Sequence, residues 1–150
     1  MGAATTSLPL RVLVVDDDRD TVDSLALILE IWGHQVFKAV DGFAALEVCL
    51  ARSPDVVVLD LAMPGLEGNK VAQQLTAMGG VPPLIIVMSG YGHEAERKRA
   101  REAGCDHYLM KPVDLDDLKA ILANARRNVP IKQGDPNQTA ELQAMTEDAK

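Results

Sequence analysis

The sequence has few cysteines and no long apolar run, and each absence excludes a class of protein. Two cysteines, Cys49 and Cys105, are too few for a small fold held together by disulfide bonds. No apolar run approaches about 20 residues, the length that a membrane-spanning helix needs. Residues 1–9 lack the basic and apolar segments of a signal peptide. We therefore expect a cytoplasmic location, reduced thiols and no membrane partner.

Basic and aromatic residues are also scarce. The chain has 15 Lys and Arg against 22 Asp and Glu, which gives a formal net charge of −7. Nucleic-acid binding needs clustered positive charge, and neighbouring glutamates dilute the basic cluster at 97–101, so we predict no direct nucleic-acid contact. One Trp, two Tyr and two Phe cannot fill the core of a 150-residue chain. We expect Val, Leu, Ile and Ala to fill it.

Short apolar runs alternate with helical patterns over most of the chain. Continuous β-branched runs are typical of strands buried on both faces, and they predict strands at Arg11–Val15, Gln35–Ala39, Val56–Leu59, Leu84–Met88 and Tyr108–Met110. Helices are predicted at about 19–32, after residue 41, and at about 68–78, 93–103 and 114 onwards. This alternation predicts an α/β fold with a five-stranded parallel sheet and helices on both faces.

The pattern also predicts domain limits, caps and the faces of helices. Residues 10–128 form one predicted domain, preceded by a tail at 1–9 and followed by a polar tail at 129–150. Asp18 and Asp41 are the predicted N-caps of the first two helices. Phe43, Leu46 and Leu50 are the apolar positions of the second helix. His34, near a helix end, is assigned to the surface.

Charged or hydroxyl side chains follow four of the predicted strands, at the ends where open parallel sheets bind ligands. They are Asp16, Asp17 and Asp18 after strand one, Asp60 after strand three, Ser89 after strand four and Lys111 after strand five. We expect strands one and three to be neighbours, so that Asp16, Asp17 and Asp60 converge. Carboxylates about 4 Å apart repel each other by about 1 kcal/mol in water and more in a protein. An all-oxygen cluster of this kind suits Mg²⁺.

Four segments together resemble the response-regulator receiver domains of two-component signalling. They are Val14–Asp17, Leu59–Gly65, Met88–Gly90 and Tyr108–Pro112, in the order and spacing of the family. The resemblance covers about residues 10–128. It implies a flavodoxin-like three-layer sandwich with the strand order 2-1-3-4-5. It also implies a signalling domain that catalyses only its own phosphorylation and dephosphorylation, rather than an enzyme with turnover.

The resemblance implies a role for each residue around the acidic cluster. Asp60 is the implied phosphoacceptor, which receives its phosphoryl group from a sensor histidine kinase or a histidine phosphotransfer domain. Asp17 is the implied direct Mg²⁺ ligand, Asp16 assists it, and the backbone carbonyl of Ala62 is a further ligand. Ala62 and Tyr91 flank the implied phosphoryl site, and neither can activate a water, which predicts a long-lived phosphoaspartate.

The same resemblance assigns roles around the phosphoryl group itself. Lys111 pairs with the phosphoryl oxygens, and its peptide bond to Pro112 is expected to be cis. Ser89 is expected to move and to bond a phosphoryl oxygen, and Tyr108 is the aromatic residue that swings inward with it. The resulting change of conformation regulates an output partner that the sequence does not identify.

The main alternative is a phosphatase of the haloacid-dehalogenase type. In that interpretation Asp16 is the nucleophile and Asp18 the acid–base residue, but Asp60 is left without a role. Cys105 and His107 resemble half of a metal site, but no second pair has zinc spacing, so a packing role at the entry to a strand is favoured.

Overall fold

A computed structural model describes residues 9–61, 68–78, 81–90 and 92–128, with side chains up to residue 125. Within these ranges, five strands alternate with five helices: β1 (Arg11–Val15), α1 (Arg19–Ile31), β2 (Gln35–Ala39), α2 (Gly42–Arg52), β3 (Val56–Asp60), α3 (Gly68–Ala77), β4 (Leu84–Ser89), α4 (Glu94–Glu102), β5 (His107–Met110) and α5 (Leu115–Asn128). Every strand bound lies within one residue of its predicted position. Among the described helices, none combines the length and the apolar character required to cross a bilayer.

All four strand pairings are parallel, and the order across the sheet is β2-β1-β3-β4-β5. The prediction of an α/β fold with this order is confirmed. Strand β3 is central and buried along its whole length, whereas β2 and β5 form the edges. In the register of β3 and β4, Asp60 pairs with Met88, so that Ser89 follows immediately on the neighbouring strand. The carboxyl ends of β1, β3, β4 and β5 therefore meet at one edge of the sheet.

Helices cover both faces of the sheet and create two apolar cores. One core contains the strand residues Leu13, Val57 and Ile85 and is closed by α2, α3 and α4. The other contains the alternate strand residues, such as Val14 and Ile86, and is closed by α1 and α5. Side chains of successive strand residues point to opposite faces. Because the strands carry aliphatic residues at successive positions, both cores are aliphatic. The result is the predicted three-layer sandwich.

Side-chain caps define where two of the helices begin. The Asp18 carboxylate accepts hydrogen bonds from the Asp20 amide at 3.2 Å and from the Thr21 hydroxyl at 2.7 Å. Asp41 caps α2 by accepting a bond from the Ala44 amide at 2.7 Å. These bonds satisfy amides that have no partner within the helix. Both predicted N-caps are confirmed.

Of the three predicted apolar positions of α2, Leu46 is partly buried against the core, but the prediction is wrong for Phe43 and Leu50. Phe43 and Leu50 are 63% and 73% exposed, and the buried positions are Gly42, Ala45 and Cys49. The two sets have the same helical spacing and are shifted by one position along the chain, so periodicity alone does not distinguish them. The set with small side chains faces inward, where α2 packs against β1, β2 and α3.

The predicted surface position of His34 is also wrong. His34 is buried, and its Nδ1 accepts a hydrogen bond from the Leu10 amide at 3.2 Å. The turn after α1 brings this side chain beneath the start of β1, because Gly33 adopts a positive φ of 98° that ends the helix. A contact between residues 24 positions apart is invisible to a local pattern.

Candidate functional site

Three carboxylates converge at the carboxyl edge of the sheet. Asp16 directly follows β1, and Asp60 is the last residue of β3. One carboxylate oxygen from each of Asp16, Asp17 and Asp60 lies within 4.8 Å of the other two. Asp16 and Asp60 are 1% and 4% exposed, whereas Asp17 is exposed to solvent. The structure thus brings together the three carboxylates that the sequence analysis selected, and leaves the cluster open on the side of Asp17.

Lys111 provides the positive charge of the cluster. Its Nζ lies 3.2 Å from Asp16 Oδ2 and 3.3 Å from Asp60 Oδ1. Partial burial by itself would lower the pKa of Lys111. The negative charges of Asp60 and Asp16 have a larger effect in the opposite direction, so the pKa lies above its ordinary value. Lys111 therefore keeps its charge, and the three carboxylates with this ammonium have a formal charge of −2.

Backbone contacts hold these side chains in place. The Lys111 amide donates to the Ser89 carbonyl at 2.7 Å, which joins the ends of β4 and β5. Asp16 Oδ1 accepts a bond from the Asp18 amide at 3.0 Å, while its Oδ2 contacts Lys111. Both oxygens of Asp16 are thus engaged. A Cβ at Gly68 would lie 2.8 Å from the Asp60 carbonyl oxygen, so α3 can start this close to the strand end only with glycine there.

The donor set of the cluster fits a hard divalent cation. All the converging atoms are carboxylate oxygens, which Mg²⁺ prefers over nitrogen or sulfur ligands. A charge of +2 would balance the two net negative charges that Lys111 leaves. The exposed side at Asp17 leaves space for water and for a phosphate group, both of which commonly complete Mg²⁺ coordination.

Ser89 and Tyr108 meet at a residue that the sequence analysis did not select. The Ser89 hydroxyl, buried at the end of β4, donates to Glu96 Oε1 of α4 at 2.5 Å. The Tyr108 hydroxyl donates to the same oxygen. Burial and, next, the hydrogen bond to Glu96 raise the pKa of Tyr108. The Arg97 guanidinium lies 4.9 Å from the centre of the Tyr108 ring, so two residues of α4 hold this side chain.

The signal that could have found Glu96 is weak. An acidic residue in the first turn of a helix is already explained by the helix dipole, and Glu94 occupies the same turn. Only the return of β5 beside α4 distinguishes Glu96 from Glu94.

Three other predicted positions have different outcomes. The peptide bond between Lys111 and Pro112 is cis. Ala62 and Tyr91 lie outside the described residues, so their roles stay predictions.

The geometry does not favour the phosphatase alternative. Asp18, its acid–base residue, is occupied as the N-cap of α1. Asp16, its nucleophile, is buried with both oxygens bonded.

Comparisons with known proteins agree with the fold. Residues 12–123 match the response regulator receiver domain. Response regulator MprA of Mycolicibacterium vanbaalenii is 42% identical over 124 residues, which cover 82% of this chain and 53% of that protein. The chain thus spans about half the length of the curated relatives it matches.

Solved structures show the same architecture. The receiver domain of the putative response regulator NarL from Mycobacterium tuberculosis is 31% identical, with a TM-score of 0.70 over 78% of this chain and 96% of that one. The receiver domain of Saccharomyces cerevisiae Ssk1, co-crystallised with the histidine phosphotransfer protein Ypd1, is 21% identical, with a TM-score of 0.76 over 86% of this chain and 97% of that one. The second likeness concerns the fold alone.

These matches confirm the resemblance noted in the sequence and give no support to the phosphatase alternative. The chain belongs to the receiver domains of two-component response regulators, signalling domains that are phosphorylated on an aspartate by a histidine kinase or a phosphotransfer protein.

Proposed function

We propose that Asp60 is the aspartate that accepts the phosphoryl group. The observation that supports this choice is the position of Asp60, whose carboxylate lies beside both the Lys111 ammonium and the other carboxylates of the cluster. Its Oδ1 is 3.3 Å from Lys111 Nζ, and its carboxylate belongs to the cluster with Asp16 and Asp17. Asp60 also ends the central strand β3, where Asp60 pairs with Met88 of β4 and the preceding Leu59 pairs with Val15 of β1. A nucleophile on a rigid element is well positioned for in-line attack.

The proposed reaction transfers one phosphoryl group and changes no oxidation state. An Asp60 carboxylate oxygen attacks the phosphorus of a phosphohistidine, so that an O–P bond forms and the N–P bond breaks. The imidazole nitrogen leaves with the bonding electron pair and takes up a proton from solvent. Such transfers need positioning and charge neutralisation more than covalent assistance. Lys111 offsets the negative charge that accumulates on the phosphoryl oxygens.

We assign Mg²⁺ to the acidic cluster as its cofactor. Asp17 would be the direct ligand because it is exposed, with Asp60 beside it and Asp16 supporting through its bonded carboxylate. The backbone carbonyl of Ala62 completes the proposed protein ligands. When bound, Mg²⁺ neutralises charge on the phosphoryl oxygens and aligns them for transfer.

The proposed donor is a sensor histidine kinase or a histidine phosphotransfer domain. A groove of about 410 Å³ adjoins Lys111 between α1 and the segment that follows β5. Leu25, Ile28, Pro112 and Val113 line it, so its character is largely apolar. A groove beside the acceptor is suited to a helix that carries a phosphohistidine. We infer that this donor docks there.

The proposal includes the context of the domain. The receiver, at residues 10–128, works in the cytoplasm beside the kinase that supplies it. It catalyses its own phosphorylation and dephosphorylation and passes the resulting change of conformation to an output partner.

The test is incorporation of phosphate from acetyl phosphate with MgCl₂, measured by intact mass. We expect the wild-type protein to gain one phosphoryl group, and Asp60→Asn to gain none. Asp41→Asn is the matched control. Asp41 lies at the same carboxyl edge of the sheet, and Asn retains its capping function at α2. Equal labelling of Asp60→Asn and wild type would refute the assignment.

A further inference from the structure

Glu96 joins three elements of the fold through one carboxylate. It belongs to the first turn of α4, and its Oε1 accepts hydrogen bonds from Ser89 at the end of β4 and from Tyr108 in β5. Ser89 is 2% exposed, and Glu96 and Tyr108 are half-buried. The Ser89 hydroxyl is therefore directed towards α4 in this structure.

We propose that Glu96 is a positioning residue that holds the Ser89 hydroxyl away from the phosphoryl site until Asp60 is phosphorylated. This inference rests on the proposed function of Asp60. A serine hydroxyl carries a single hydrogen, so Ser89 donates either to Glu96 or to a phosphoryl oxygen. Every phosphorylated molecule that uses the Ser89 hydroxyl has first broken its bond to Glu96.

Charge gives the exchange its direction. Phosphorylation replaces the single negative charge of the Asp60 carboxylate with a phosphoryl group that carries between about −1.5 and −2 charges, and the Glu96 carboxylate carries a charge of the same sign. Two anionic acceptors then compete for one donor, and their mutual repulsion disfavours a Glu96 carboxylate that stays close. Loss of the Ser89 bond also weakens the contacts that keep Tyr108 and Glu96 beside the end of β4.

Because α4 is weakly attached to the sheet, the separation of Glu96 from Ser89 has a low free-energy cost. Within α4, all of which the structure describes, Ala100 is the one buried residue. The remaining apolar contact is small, and a helix with little buried surface moves at low free-energy cost. The bonds of Glu96 are therefore a substantial part of what holds the amino-terminal turn of α4 against the sheet.

The test measures the affinity for beryllofluoride, a phosphoryl analogue, in MgCl₂ by titration calorimetry. Glu96→Ala is expected to bind about fivefold more tightly than wild type, since Ser89 no longer exchanges one hydrogen bond for another; this factor corresponds to about 1 kcal/mol. Glu102→Ala removes the same charge from the exposed end of α4 and is expected to bind as wild type does.

A double-mutant cycle identifies the hydroxyl as the route of the effect. In a Ser89→Ala background, Glu96→Ala is expected to change the affinity by less than about 1.5-fold, because no hydroxyl is left to release. Unchanged or weaker binding by Glu96→Ala overturns the inference. A fivefold gain that persists without Ser89 also overturns it, since the effect would then be a long-range effect of charge.

Two further measurements separate the causes of failure. If wild-type protein binds no beryllofluoride, or if Asp60→Asn binds it equally well, the proposed function of Asp60 fails and this inference fails with it. If wild type binds and Asp60→Asn does not, an affinity of Glu96→Ala equal to that of wild type rejects the role of Glu96 and leaves the proposed function of Asp60 intact. Circular dichroism checks the fold of each variant, and Glu96→Leu, which also removes the acceptor and for which the same dependence on Ser89 is expected, replaces any Glu96→Ala protein that does not fold.

Discussion

Replacement of Asp17 by Asn is expected to stabilise the protein when no divalent cation is present. The carboxylates of Asp16, Asp17 and Asp60 lie close together with Lys111 as their neighbouring cation. Lys111 contacts Asp16 and Asp60, so Asp17 is the carboxylate with the least compensation. Asn has nearly the same shape, and the substitution therefore removes the charge while it preserves the packing.

The magnitude follows from the separation of the charges. At 4.8 Å, the longest separation within the cluster, two unit charges repel by about 0.9 kcal/mol in water and by about 3.5 kcal/mol at an effective dielectric constant of 20. Asp17 is exposed, so the lower figure applies to each of its two pairs. Attraction to Lys111 cancels part of this repulsion. We expect the free energy of unfolding to rise by about 1 kcal/mol, or the melting temperature by about 3 °C.

Mg²⁺ is expected to reverse the order of the two proteins. A ligand that binds only the folded state at 100 times its dissociation constant stabilises that state by about 2.7 kcal/mol. Wild-type protein gains this amount in MgCl₂, whereas Asp17→Asn, without its direct ligand, gains little. Urea unfolding in EDTA and in MgCl₂, followed by circular dichroism, measures both differences.

Asp23→Asn is the matched control for net charge. Asp23 is an exposed residue of α1 that pairs with Lys38 at 3.0 Å and is not part of the acidic cluster. Its replacement changes the net charge of −7 by the same amount but relieves no local repulsion. Equal stabilisation by both variants would show that the effect comes from net charge. A less stable Asp17→Asn in EDTA would refute the reasoning about convergent carboxylates.

Three other outcomes are expected. Ile28→Asp should slow phosphorylation by a partner kinase about tenfold but leave labelling by acetyl phosphate unchanged, and Leu50→Asp, on the opposite face, should change neither; equal slowing with both donors would contradict docking at α1. Burial and then the hydrogen bond to Glu96 raise the pKa of Tyr108, so Glu96→Ala should lower it towards its ordinary value in an NMR titration; an unchanged pKa would disprove the bond. Burial raises the pKa of Cys105 from 9.0 to about 12, so the folded protein should lose stability as the pH rises between these values, and a thiol reagent should label Cys105 only after unfolding; rapid labelling of native protein would contradict this.

Strands and caps were predictable because their signals are local. A run such as Val56–Leu59 is apolar on both faces, which only a central parallel strand requires, and β3 is buried at every position. Asp18 and Asp41 have short side chains that bond the amides of the next turn. These preferences act within four residues of the chain, so the sequence alone determines them.

The position of the acidic cluster was predictable for a different reason. Parallel strands place all their carboxyl ends at one edge, and so residues that directly follow a strand converge whatever the details of the helices. Asp16, Asp60 and Lys111 follow this rule, and Lys111 contacts both carboxylates in the structure.

The orientation of α2 and the contacts of His34 and Glu96 were decided by tertiary structure. The two apolar sets of α2 share one period, and only packing of small side chains against the sheet selects Ala45 over Phe43. His34 bonds a residue 24 positions away, and Glu96 bonds Tyr108 across 12 positions. Such contacts depend on where the chain returns after a turn or a strand, because hydrogen bonds are made by distance in space and not by distance in sequence.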